Sequence, residues 1–155
     1  MDTTKNGTDG EHIHLGQIEI VFFAQGEDTD GHLDLYEVRV APGARVPGAH
    51  YHVDMDEVIL GLEGVMTYVV GDQIHEVHPG ERAFSPRGIV HYFANRGPTP
   101  ARTLICGTPA RIGAAYFREL RVLATGGGPP DMQKIAAVMR RHGLEPSPLP
   151  ESVRL

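Results

Sequence analysis

The chain has 155 residues, a formal charge of −6 and 41% hydrophobic residues, with 19 glycines, 12 prolines, nine histidines and one cysteine. That length closes one real core in a single domain, and the glycine and proline content argues against a helical bundle. Cys106 alone excludes an intrachain disulfide or a cysteine-rich zinc module, so a metal site would be built from imidazole and carboxylate.

Lysine occurs only at Lys5 and Lys134, and the arginines are dispersed. Without a basic stripe, nucleic acid is not an expected partner. No apolar run approaches the roughly 18 residues that a membrane helix needs. The polar opening, Met1 to Gly10, lacks a signal-type apolar stretch, and a lone thiol suits a reducing compartment; the expectation is a cytoplasmic protein.

In chain order, residues 1–10 read as a disordered lead. His14 to Ala24 alternates around Ile18, Ile20 and Phe22, which predicts a strand, and the acidic stretch Gly26 to Gly31 predicts a turn. Leu33 to Val40 alternates again and stops at Pro42-Gly43. Short runs follow at 57–63, 65–70, 73–78, 82–86, 89–95 and 102–107, each bounded by glycine, proline or a polar pair. Many short strands at such intervals predict an all-β antiparallel sandwich or barrel over 11–108.

The pattern changes after Pro109. Ile112, Ala115, Tyr116, Leu120 and Leu123 fall near helical spacing over 111–124, weakened by Gly113. Gly126 to Pro130 predicts a hinge. Asp131 is the expected N-cap of a helix through His142, with Ile135, Val138 and Met139 as its apolar stripe and Gly143 just past its end. The proline-bearing tail from Glu145 is expected to wrap the surface. Residues 109–155 thus form a helical and proline-rich extension.

Two segments carry the chemistry. In the first, His50 and His52 stand two apart, so a strand would point both to one face. Glu57 lies five residues beyond His52, which requires the Val53–Asp56 stretch to turn or bulge before Glu57 can face the same way. The second segment carries Gly80, Pro86, Gly88, His91 and Asn95. That spacing resembles the second motif of the cupin superfamily at every fixed position. From this chain's residue frequencies a chance match is on the order of one in ten thousand. The first cupin motif is present as His50-x-His52, four residues, Glu57, six residues and Gly64. One departure is visible: six residues rather than five separate Gly43 from His50.

The resemblance implies a cupin-type antiparallel β-barrel, or jelly roll, holding one divalent metal inside an open end. Carried over by position, His50, His52, Glu57 and His91 are the ligands. Three imidazoles and a carboxylate leave room for water, substrate or O2 and suit Mn, Fe, Co, Ni, Cu or Zn alike. Phe93 and Tyr68 are pocket candidates, each with a core role as the equal alternative. His75 and His78 face opposite sides of a strand, His12, His14 and His32 read as lead and loop residues, and Cys106 reads as a buried small side chain.

For function, the chain resembles small bacterial quercetinase-like dioxygenases, which implies an oxidoreductase acting on a small enolisable or phenolic, flavonol-like substrate. Glu57 would serve as the base. A metal Lewis acid acting as lyase, isomerase or polyketide cyclase is the alternative, and a non-catalytic small-ligand-binding cupin is another. A homodimer is expected, because edge strands such as 14–24 need cover.

Overall fold

In the computed structural model of the chain, the described residues are 10–46, 48–125 and 129–153. The expected disordered lead lies outside them except for Gly10, as do the three glycines of the expected hinge. The described residues build two antiparallel sheets that close face to face as a jelly roll. Strands β1 (Glu11–Leu15), β2 (Ile18–Ala24), β3 (Asp34–Val40), β5 (Asp56–Glu63), β8 (Arg82–Ser85) and β10 (Ala101–Thr108) form the first, in the order β1-β2-β3-β10-β5-β8. The second contains β4 (His50–His52), β6 (Met66–Val70), β7 (Gln73–Val77), β9 (His91–Ala94) and β11 (Leu144–Pro146), in the order β11-β4-β9-β6-β7.

The inward faces meet in one core, where Ile20, Val38 and Ile59 of the first sheet join Met66, Tyr68 and Phe93 of the second. Alternation along each strand produces this core directly, because a period of two puts every other side chain inside. Gly64, between β5 and β6, takes φ +62°, and a Cβ there would lie 2.3 Å from the Pro100 carbonyl oxygen. Only glycine fits that turn.

The single strand expected over 14–24 is instead a hairpin. β1 pairs with β2 so that Leu15 lies opposite Ile18, and Gly16 at φ +60° opens a two-residue turn. Apolar alternation continues on both sides of this turn, which hid it, and only its phase shifts, from Ile13 and Leu15 to Ile18 and Ile20. His12 and His14 are therefore strand residues rather than lead residues, and both lie within 3.6 Å of Glu19. Strand β2 is interior to its sheet, and the edge strand β1 packs against a helix. Cys106 sits half-buried on β10, on the opposite face from buried Ile105, so it is not enclosed as expected.

Two helices follow, α1 (Gly113–Ala124) and α2 (Met132–Arg141). At the start of α2, Oδ1 of Asp131 accepts from the backbone N–H groups of Gln133 and Lys134. Helix α1 has no cap of its own. Buried Asp34 accepts from the Arg111 and Ile112 amides instead, and the Gln25 side chain accepts from Ala114. Anchors from two distant points of the chain thus begin a helix that Gly113 alone would weaken.

The extension also re-enters the sheets. Leu144 of β11 pairs with His52 of β4, and Pro146 pairs with His50. Beyond it the tail packs Leu149 and Val153 against Val69, Tyr92 and Ala94 on the outer face of the second sheet. No helix among the described residues is long and apolar enough to cross a membrane.

Candidate metal centre

His50 and His52 share a face because they are two apart in β4. β4 pairs antiparallel with β9 so that His50 lies directly opposite His91. The route to Glu57 is a change of sheet. Val53 and Asp54 turn the chain out of the second sheet, and β5 restarts in the first with Glu57 opposite Ser85. The odd spacing is thus absorbed by crossing between layers, and Glu57 faces the histidines across the barrel.

The three imidazoles are close: ring centroids are 4.5 Å apart for His50 and His91, 5.0 Å for His52 and His91, and 5.2 Å for His50 and His52. One nitrogen from each can be chosen so that all three lie within 4.8 Å of one another. Glu57 lies beside them, with Oε1 3.3 Å from His52 Nε2 and Oε2 3.3 Å from His91 Nε2. His52, Glu57 and His91 are 2%, 4% and 3% exposed, so bulk water does not solvate these three, while His50 is partly exposed.

The hydrogen bonds select the tautomers. His50 Nδ1 donates to the Gly48 carbonyl at 3.2 Å and His91 Nδ1 to the Ile89 carbonyl at 3.1 Å. A proton held on Nδ1 leaves the Nε2 lone pair free for an ion, the usual arrangement of metal-binding histidine. His52 has no hydrogen-bond partner on either ring nitrogen. A buried imidazole left that way is costly unless something binds it, and a divalent cation is what this donor set would accept. The residues present fit a metal ion.

Electrostatics agree. Burial, reinforced by His91 and His52, pushes His50 well below the usual imidazole range, so it stays neutral. Burial alone would raise Glu57, but with no ion bound a proton shared with the His52 and His91 imidazoles outweighs it and holds the carboxyl well below its ordinary range, a place that a cation would take over. The Tyr36 hydroxyl donates to Glu57 Oε1 at 2.8 Å. Burial, then the adjacent Glu57 charge, pushes that phenol well above its ordinary value, so it remains a donor.

The cluster opens into a cavity of about 280 Å³. Of the two pocket candidates, Phe93 lines this cavity, whereas Tyr68 lies in the core and hydrogen-bonds Thr103 at 3.1 Å. Sequence reasoning missed Tyr36, which also lines it; alternation placed Tyr36 on a face of its strand, and no local signal tied it to a carboxylate 21 residues away. It missed the role of the extension too. Phe117 and Leu120 of α1 and Ile135 and Met139 of α2 line the same cavity.

The remaining motif residues position the ligands. Pro86-Arg87-Gly88 forms the corner before His91, where the Gly88 amide donates to the His52 carbonyl at 2.8 Å. Arg87 meets Asp56 through its backbone N–H and two guanidinium contacts of 2.8 to 3.1 Å, tying this corner to the start of β5. Asn95 binds no ion. Its amide donates to the Val40 and Thr99 carbonyls and its Oδ1 accepts from Gly97.

Comparison with known proteins agrees with this geometry. Residues 36–106 match the family described as Cupin_2, a cupin domain. A structure named as a cupin-superfamily sugar phosphate isomerase from Silicibacter pomeroyi is 29% identical at TM-score 0.54, over 63% of this chain and 62% of that one. The chain thus matches less than two thirds of that relative's length. The polyketide cyclase RemF from Streptomyces resistomycificus is 27% identical at TM-score 0.58, over 70% of this chain and 80% of that one. A predicted oxalate decarboxylase from Thermotoga maritima, 20% identical at TM-score 0.59 over 70% and 99% of the two chains, is similar in fold. No curated protein matches the chain in sequence.

Proposed function

We propose that this chain, whose residues 36–106 match a cupin domain, is a metal-dependent enzyme acting on an enolisable or phenolic substrate of mainly apolar character. The observation that carries this reading is the placement of the His50–His52–His91 cluster and Glu57 at one end of an apolar cavity. A divalent ion held there supplies Lewis acidity toward a substrate oxygen.

The chain's own groups do the rest. His50, His52 and His91 would hold the ion through neutral imidazoles, two of them fixed by backbone carbonyls. Tyr36 keeps its hydrogen bond on Glu57 Oε1, leaving Oε2 as the atom that takes the substrate's hydroxyl or α-carbon proton. Glu57 also stands close enough to serve as a fourth ligand, a role that competes with proton transfer because a cation weakens a carboxylate base. Phe93 and the aliphatic lining exclude water and orient the ring system.

The lining separates this reading from those suggested by other neighbours. Among the described residues, Arg45 is the one lysine or arginine lining the cavity, and it is exposed. A sugar phosphate or a small dicarboxylate would need a denser set of cations. Cyclase or isomerase chemistry without O2 is the reading we favour, supported by the likeness to a polyketide cyclase. Dioxygenase chemistry on a flavonol-like substrate is the second reading, since the same apolar cavity and nitrogen-rich ligand set would serve O2 activation.

The test is turnover of flavonols and linear polyketide mimics by protein of verified metal content, in air and under strict anaerobiosis. Anaerobic product formation supports the favoured reading, and an absolute O2 requirement selects the second. Metal content unchanged in both His50→Ala and Glu57→Ala would overturn the site assignment.

A further inference from the structure

We infer that the C-terminal helices are the substrate-selecting wall of this site, and that they select a flat, uncharged system of two or three fused rings. The inference rests on the proposed function for its chemistry, but the wall itself is read from packing. On α2, Met132, Ile135, Ala136 and Met139 line the cavity. Their spacing of three, four and seven residues is one stripe of a helix. On α1, Phe117, Leu120 and Ala124 make a second stripe on the same space.

Two apolar stripes ordinarily close on each other and on the sheet, leaving no void larger than a water molecule. Here they stand off from the histidine end and leave about 280 Å³. That is nearly twice the ~150 Å³ apolar cavity known to hold benzene, which sets the ring count. The wall is also braced. Glu119 of α1 meets His142 Nε2 at 2.8 Å and pairs with Arg141, joining α1 to the end of α2. Asp34 and Gln25 fix the other end of α1. A braced apolar wall beside a metal cluster orients a ring system and leaves only its oxygen to meet polar atoms.

Ala136 is the position to test, because it lines the cavity while remaining partly exposed. Ala136→Phe fills the space without removing any core side chain, and exposed Ala137→Phe serves as the control on the same helix. Binding of 2-naphthol, a neutral two-ring phenol, is measured by calorimetry on full-length protein, metal-free and metal-loaded, with metal content assayed in parallel. The wild type and Ala137→Phe are expected to bind it alike, and Ala136→Phe to bind it roughly tenfold more weakly with metal content unchanged. Met139→Ala, which enlarges the cavity, is expected to shift preference toward the three-ring 9-phenanthrol, giving a readout that does not depend on Ala136→Phe folding.

Equal 2-naphthol binding by wild type and Ala136→Phe, or glucose 6-phosphate binding as tightly as 2-naphthol, would overturn the inference. Failure of the functional reading looks different: 2-naphthol binds and responds to Ala136→Phe, but the protein takes up no metal.

Discussion

The Tyr36 hydroxyl and Glu57 Oε1 are joined by a buried 2.8 Å hydrogen bond between β3 and β5, strands that are not neighbours in their sheet. This contact crosses over β10 and fixes one oxygen of the carboxylate. Tyr36→Phe keeps the ring, which stacks on Phe22 at 4.9 Å, and removes only the donor. Metal-free Tyr36→Phe is expected to lose roughly 1.5–3 kcal/mol of stability in urea denaturation, as for a hydrogen bond to a charged group. Metal affinity is expected to fall by about 10–100-fold in calorimetric titration. Unchanged affinity would show that Tyr36 does not act on the site through Glu57.

His52 behaves differently, because neither of its ring nitrogens has a hydrogen-bond partner. His52→Leu replaces an unsatisfied buried imidazole with an apolar side chain of similar size. In metal-free protein the change removes the 3.3 Å contact with Glu57 Oε1, an oxygen that Tyr36 still bonds, and is expected to cost no more than about 1–3 kcal/mol. With metal present, wild type is stabilised by roughly 2.7 kcal/mol at a hundredfold excess over Kd, whereas His52→Leu is not. Thermal unfolding with and without chelator reads both halves. A large loss in chelator would mean that His52 is structural.

Asn95 presents the reverse case. Its side chain satisfies two carbonyls and one amide at 1% exposure, and it contributes no ligand atom. Asn95→Ala leaves all three backbone groups short of a partner and is expected to cost roughly 3 kcal/mol. At low temperature, metal stoichiometry should remain that of the wild type. Loss of metal from a folded Asn95→Ala protein would contradict the purely structural role.

Acid stability is expected to depend on Asp56 and Arg87. The Arg87 guanidinium, together with its backbone N–H, lowers the Asp56 carboxyl from 3.8 to about 2. A carboxyl lowered by folding contributes stability that is complete above its unfolded value and lost as pH falls through its folded value. The contribution of this pair is therefore full above about pH 4 and vanishes towards pH 2. Half-exposed Arg87 keeps it small, because solvent screens the pair. Arg87→Ala and wild type should differ in urea midpoint at pH 5 and converge as pH approaches 2. A difference that persists there would assign the stabilisation to another group.

Much of the site was legible in the chain because strand geometry is local. Two histidines at a spacing of two must share a face, and a glycine–proline–glycine frame ahead of His91 specifies a corner wherever the strand lies. The same locality explains the misreading at residues 14–24. A tight hairpin at Gly16 preserves apolar alternation on both sides, and the one sign that separates two strands from one is the three-residue step from Leu15 to Ile18. The start of α1 was obscure for the opposite reason, since the groups that cap it, Asp34 and Gln25, come from far upstream.

What the sequence by itself determined is the β architecture and a set of histidines and a glutamate with metal-ligand spacing, because short periods and turn residues dictate local direction. What only the tertiary structure decided is the content of the cavity: Tyr36 on Glu57, Phe93 rather than Tyr68 on the lining, and two C-terminal helices as its wall. Apolar stripes on helices state that a face is buried but not against what. Sheet pairing and the distant anchors of α1 settle that question, and they make the extension part of the site.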